Sequence, residues 1–158
     1  MKMKYLLTAM LGFAALSNTM AQETKTVRLR LIETSDVHGA FFPYDFIQRK
    51  ETKGSLARVS SYVNNLRREY GRNVILLDNG DILQGQPSCY YYNYVATDKQ
   101  NIVSKIYNYM GYDAASFGNH DVEPGHKVYD KWVGEVDCPV LGANIVDTNT
   151  GLPYVKPY

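Results

Sequence analysis

The stretch Ala114-Ala115-Ser116-Phe117-Gly118-Asn119-His120-Asp121 runs from a short apolar, strand-like segment into a cluster of glycine, amide, imidazole and carboxylate. The same layout occurs twice before it. The run 27–32 leads into Asp36-Val37-His38, and the run 74–77 leads into Gly80-Asp81-Ile82-Leu83-Gln84-Gly85. Carboxylates, imidazoles and amides at the ends of neighbouring strands are the groups that hydrolytic metal ions take as ligands, so the repetition points to metal-dependent hydrolytic chemistry.

Outward from these motifs, hydrophobic spacing alternates between strand and helix. Strands are expected over 27–33, 73–78, 114–117 and 140–145. Ser55 is a good N-cap for a helix to Tyr70, with Leu56, Val59, Tyr62, Val63 and Leu66 on its inward face and Gly71 as its stop. Further helical segments are expected over 88–96, over 101–110 before Gly111, and over 126–135 with Val128, Trp132 and Val133 inward. An aromatic-rich loop containing Pro43 follows the first motif, and Thr148-Asn149-Thr150-Gly151 reads as a turn. Strands alternating with helices predict an α/β layered domain, a β-sheet core flanked by helices, with no internal boundary.

Composition narrows the classes. Lys2 and Lys4 precede an apolar run over 6–16 and a small-residue site at Thr19-Met20-Ala21, which predicts a signal peptide over 1–21 and a mature chain from Gln22. The run is shorter than the ~20 residues of a spanning helix, so no membrane span is expected and the protein is read as exported, periplasmic or secreted. A formal net charge of +1 gives no reason to expect a nucleic-acid polymer or a membrane surface as partner. The sequence carries no signal for oligomeric state. Cys89 and Cys138 lack metal-site spacing and are read as structural or incidental. The densest of the tyrosines, Tyr90-Tyr91-Tyr92 with Tyr94, ordinarily pack with their hydroxyls reaching water; stacking on a nucleobase is the alternative.

The motifs differ in what they offer. Asp36 and His38 lie two apart, so on an extended backbone both side chains point to one side and can share an ion. Asp81 is bracketed by Gly80 and Gly85, and its two oxygens could bridge ions about 3.5–4 Å apart. Asp78 and Asn79 are candidates for an Asx turn before it. Asn119 offers a carbonyl oxygen, while His120 is placed to meet substrate and donate a proton, with Glu123 three residues on to orient it. His126, after Pro124-Gly125, reads as a capping or surface residue.

Together, Asp36-x-His38, Gly80-Asp81-x-x-x-Gly85 and Gly118-Asn119-His120-Asp121 resemble the calcineurin-like metallophosphoesterases. The contexts Glu33-Thr34-Ser35-Asp36-Val37-His38, Leu77-Asp78-Asn79-Gly80-Asp81 and Gly142-Ala143-Asn144-Ile145 are similar to its branch of exported 5′-nucleotidases and 2′,3′-cyclic-nucleotide phosphodiesterases/3′-nucleotidases. The resemblance implies a nucleotide substrate and two divalent metal ions, such as Zn or Mn, with hydroxide attacking phosphorus in line. It implies Asp36 and His38 on the first metal, Asp81 bridging, Asn119 on the second, and His120 as the catalytic histidine. Where the family pairs that histidine with an aspartate, this chain has Glu123. The family's two later histidine motifs are not found after His126, so residues 22–158 are read as the N-terminal part of the domain, incomplete at the C-terminus. The alternative reading is a catalytically incomplete metal- or nucleotide-binding fragment. The Glu33-Thr34-Ser35-Asp36 context and the Tyr44-Asp45-Phe46 stretch lean towards the cyclic phosphodiesterase and 3′-nucleotidase side, and the generic motifs suit 5′-nucleotidases equally.

Overall fold

A computed structural model describes residues 25–158. The expected signal peptide, 1–21, lies outside the described residues. The strands are β1 (Arg30–Thr34), β2 (Tyr44–Asp45), β3 (Lys50–Glu51), β4 (Val74–Asp78), β5 (Ala114–Ser116) and β6 (Val140–Leu141). The helices are α1 (Leu56–Tyr70), α2 (Pro87–Tyr90), α3 (Ile102–Met110), α4 (Asn119–Val122) and α5 (His126–Glu135). β1, β4, β5 and β6 form one parallel sheet in that spatial order, and β2 with β3 makes a separate antiparallel hairpin.

Local chemistry accounts for the helix ends. The Ser55 side chain accepts from the Arg58 N–H, and the Asn101 side chain accepts from the Val103 N–H. Gly71 and Gly111 close α1 and α3. Parallel strands need crossovers, and here α1 carries the chain from β1 to β4, while α2 and α3 return it to β5. The core gathers Leu56 and Val63 of α1, Val103, Tyr107 and Met110 of α3, Val128 and Trp132 of α5, and Val74, Leu76 and Ala115 of the sheet. β4 alternates buried Val74, Leu76 and Asp78 with half-buried Ile75 and Leu77. One sheet face therefore packs on the helices, and the other, with Leu31, Leu77 and Leu141, is less covered.

Several expectations are corrected. Tyr62 is exposed, because the buried stripe of α1 narrows to Leu56 and Val63, with Val59 and Leu66 half-buried against it. The fourth strand stops at Leu141, where Gly142 turns the chain and pairs with the Lys156 carbonyl instead. The helix expected over 88–96 is α2 followed by a π-helical turn, Tyr91–Val95. The aromatic-rich loop contains the β2–β3 hairpin, whose Asp45 side chain accepts from the Ile47 and Gln48 amides.

Candidate metal centre

The three motifs follow β1, β4 and β5, which are neighbours in the parallel sheet, so their loops emerge together at the carboxyl ends of the strands. Such an edge is where open α/β sheets hold ligands. The loops are interlocked by backbone bonds. Asn79 N–H donates to the Thr34 carbonyl at 2.8 Å, Asp36 N–H to the Gly80 carbonyl at 3.0 Å, and His38 N–H to the Asp81 carbonyl at 2.9 Å. Asp78 does form the turn expected of it, its carboxylate accepting from Gly80 N–H at 2.9 Å.

Ligand atoms of His38, Asp81 and His120 all lie within 4.8 Å of one another, the only such grouping of His, Cys, Asp or Glu among the described residues. His38 and His120 meet edge to face with ring centroids 5.3 Å apart. Asp81 is buried, and its Oδ1 accepts from His120 N–H at 2.8 Å. The backbone is unusual here. Asp36, His38 and Asp81 are three of the four non-glycine residues with positive φ among the described residues, at 54°, 48° and 60°. Such conformations concentrate at functional sites because surrounding contacts must hold them in place. The extended backbone expected from Asp36 to His38 is thus replaced by left-handed residues, and only His38 joins the group. Asp36 is exposed, with its carboxylate accepting from the Ser35 hydroxyl. Asn119 is exposed at the first position of α4, beside His120.

The loops pack closer than side chains would permit. A Cβ on Gly118 would stand 2.0 Å from Asp81 Oδ1, and one on Gly85 would stand 2.2 Å from the His38 carbonyl oxygen. Glycine at both positions therefore lets the β5 loop close on Asp81 and the β4 loop close on His38. The His38 nitrogens and the Asp81 carboxylate make a mixed nitrogen and oxygen donor set of the kind that suits divalent transition metals, with the His120 ring beside it. By donor chemistry and by this glycine-lined cradle, the residues fit an ion.

Glu123 is exposed and accepts or shares a hydrogen bond with His120 Nδ1 at 3.0 Å; its other oxygen accepts from Gln84 Nε2 at 2.5 Å. The Glu123 hydrogen bond raises the His120 pKa, with the charges of Glu123, Asp81 and Asp121 adding to it against a smaller loss from desolvation. The same bond lowers the Glu123 pKa. His126 begins α5 after Gly125, which holds the cap position, and its side chain is exposed against Asp130 and Tyr154. Both cysteines are free; burial pushes the Cys89 thiol up to about 12 and the Cys138 thiol up to about 11, which keeps them unreactive.

One residue central to this geometry escaped the sequence reading of roles. Asp121, fully buried, accepts four backbone N–H groups: those of Asp81 at 2.7 Å and Gly118 at 2.9 Å on one oxygen, and those of Ile82 at 2.9 Å and Leu83 at 2.7 Å on the other. It pins the β4 loop to the β5 loop. The available signal was Gly118-x-x-Asp121, the spacing at which a carboxylate in the first helical turn reaches back to the cap amide.

Comparison with known proteins gives three findings. The family description "Calcineurin-like phosphoesterase" matches residues 29–156. The chain is 32% identical over 155 residues to a 2′,3′-cyclic-nucleotide 2′-phosphodiesterase/3′-nucleotidase of Yersinia enterocolitica, covering 96% of this chain and 24% of the relative. It is 32% identical over 138 residues to a 5′-nucleotidase of Vibrio parahaemolyticus, covering 84% and 22%. The chain thus spans about a quarter of the length of these curated relatives. Among solved structures, the calcineurin-like phosphoesterase YfkN of Bacillus subtilis superposes with a TM-score of 0.76 at 31% identity, over 84% of this chain and 41% of that one.

Proposed function

The chain belongs to the calcineurin-like phosphoesterase family, and on that premise we propose that its strand-end loops contribute to a two-metal centre hydrolysing phosphate esters of nucleotides in an exported protein. The observation carrying this reading is the convergence of His38, Asp81 and His120 at the carboxyl ends of three adjacent parallel strands. No helix among the described residues is long and apolar enough to cross a membrane.

Asp36 and His38 would hold the first ion, Asp81 would contribute to both, and Asn119 would hold the second. Divalent ions so held polarise phosphoryl oxygens and make an attacking water easier to ionise, and the mixed donors favour Zn or Mn over Ca. His120 does the proton work. With Nδ1 held by Glu123, its Nε2 is the ring nitrogen left to face substrate, placed to pass a proton to a phosphoryl or leaving oxygen. Glu123 and Gln84 keep the ring from turning. Asp81 ties its own carboxylate to the His120 backbone, so ion and proton donor share one rigid frame.

The names of the relatives suggest 5′-nucleotides, 3′-nucleotides and 2′,3′-cyclic nucleotides as substrate classes to test. The test uses the protein as encoded, with metal content measured directly and turnover assayed on AMP, 3′-AMP and 2′,3′-cyclic AMP. Asp81→Asn is expected to lose most bound metal and nearly all turnover. Near-normal metal content and turnover in that variant would sink the two-metal assignment.

A further inference from the structure

Asp121 ties the β4 loop to the β5 loop, and a second buried network ties β4 to β1. Thr34 is the last residue of β1, two before Asp36, and Asp78 is the last residue of β4, three before Asp81. The two are register partners across the parallel sheet. The Thr34 hydroxyl donates to Asp78 Oδ1 at 2.7 Å, which leaves the Tyr112 hydroxyl to donate to Thr34 at 2.9 Å. All three residues are buried, and the Tyr112 ring stacks on Tyr107 of α3 with centroids 4.1 Å apart at 23°. The other Asp78 oxygen accepts from Gly80 N–H at 2.9 Å. Gly80 is where the three motif loops meet. Its carbonyl accepts from Asp36 N–H at 3.0 Å, it directly precedes Asp81, and a Cβ on it would stand 2.1 Å from the Gly118 nitrogen. Glycine reaches its φ of 91° without strain but gives up much backbone freedom there, so the turn needs a partner that holds it, and Asp78 is that partner.

We propose that Asp78, oriented by Thr34 and Tyr112, is a positioning residue for the metal centre: through Gly80 it sets the loop of Asp36 and His38 against Asp81. This role rests on the metal-centre reading above. None of the three side chains is a candidate ligand, so each acts through the backbone it holds. A buried carboxyl is costly to desolvate, and an apolar side chain would fill the end of β4 more cheaply. What the carboxyl adds is direction. It takes one donor from β1 and one from the Gly80 turn, so a shift of either strand end moves Gly80, and Asp36 and Asp81 with it. Loss of the Thr34 hydroxyl would free the Asp78 carboxyl to rotate and leave the buried Tyr112 hydroxyl without its acceptor. Groups that orient ligands without touching the ion are worth about 10–100-fold in metal affinity.

The experiment titrates Co²⁺ into the protein as encoded, in competition with a chromophoric chelator, and records the visible absorption of the bound ion, which reports its ligand geometry. Thr34→Val keeps the branched side chain and removes the hydroxyl, whereas Thr34→Ser keeps the hydroxyl. Tyr112→Phe removes the outer donor and decides the matter should Thr34→Val fail to fold. Val63→Ala, a core substitution in α1, shows what lost stability does alone. Thr34→Val is expected to bind Co²⁺ about tenfold more weakly with a changed spectrum, and Tyr112→Phe to move the same way. Thr34→Ser and Val63→Ala should stay near the parent in both readouts. Parent-like affinity and spectrum in Thr34→Val and Tyr112→Phe would overturn the positioning role, while binding by the parent leaves the metal centre standing. An equal loss in Thr34→Ser or Val63→Ala would also overturn it, since the hydroxyl would then not be the cause. Failure of the parent itself to bind Co²⁺ would overturn the metal-centre reading and this role together.

Discussion

Replacing Asp121 by asparagine should cost this protein a large part of its stability. Each Asp121 oxygen accepts two backbone N–H groups, and the residue is fully buried. Asparagine keeps the shape but turns one oxygen into an N–H donor, so two amides lose their acceptor and face a competing donor. Hydrogen bonds to a charged group are worth about 1.5–3 kcal/mol each, and breaking a buried charged arrangement costs about 3–5 kcal/mol. The expected loss is about 3–5 kcal/mol, set against the roughly 5–15 kcal/mol that a whole domain has. Urea unfolding followed by the fluorescence of the fully buried Trp132 reads it as a fall in midpoint of about 2 M at a slope of about 2 kcal/mol/M. The substitution also loosens the clamp on the loop that carries Asp81, which sits at φ 60°, so bound metal should fall with stability. A midpoint shift below about 0.5 M at unchanged slope would refute the clamp.

Two further predictions concern protons. Glu123→Gln should bring the His120 pKa back towards its ordinary 6.5, read from the imidazole signals in an NMR pH titration. Because the folded value is raised, the pair's contribution is full below that ordinary value and is lost as pH rises through the raised one; an unmoved titration midpoint in the variant would exclude Glu123 as the cause. Asp78 is buried, and desolvation pushes its pKa up to about 6, against favourable bonds from Thr34 and Gly80. Here the folded state binds the proton more tightly, so stability should fall as pH rises from about 4 to about 6, by about 3 kcal/mol in all. Urea midpoints across that range should show the slope in the parent and lack it in Asp78→Asn; equal slopes in both would count against this assignment.

Much of the fold was legible because its signals are local. The Ser55 and Asn101 caps bond to amides two or three residues away, and the stops at Gly71 and Gly111 depend on the adjoining turn. Short-range spacing also carried the Glu123 partner of His120, three residues along one helical turn. The hairpin β2–β3 was not legible, since its two-residue strands are too short to show alternation. Tyr62 was misplaced for a related reason. A helical stripe marks which residues could be buried, but how wide a stripe the sheet covers is a matter of docking.

The sequence by itself determined the order of the four sheet strands and the longer helices, the identity of the candidate ligands and their placement just beyond strand ends, because periodicity, capping and glycine punctuation act over a few residues. Only the tertiary structure decided which donors meet. Placing β1, β4 and β5 side by side brings His38, Asp81 and His120 together across separations of about forty residues. Asp121 shows the reason most plainly. Its spacing from Gly118 announces a helix cap, but its bonds to Asp81, Ile82 and Leu83 exist only because the sheet sets those two loops in contact.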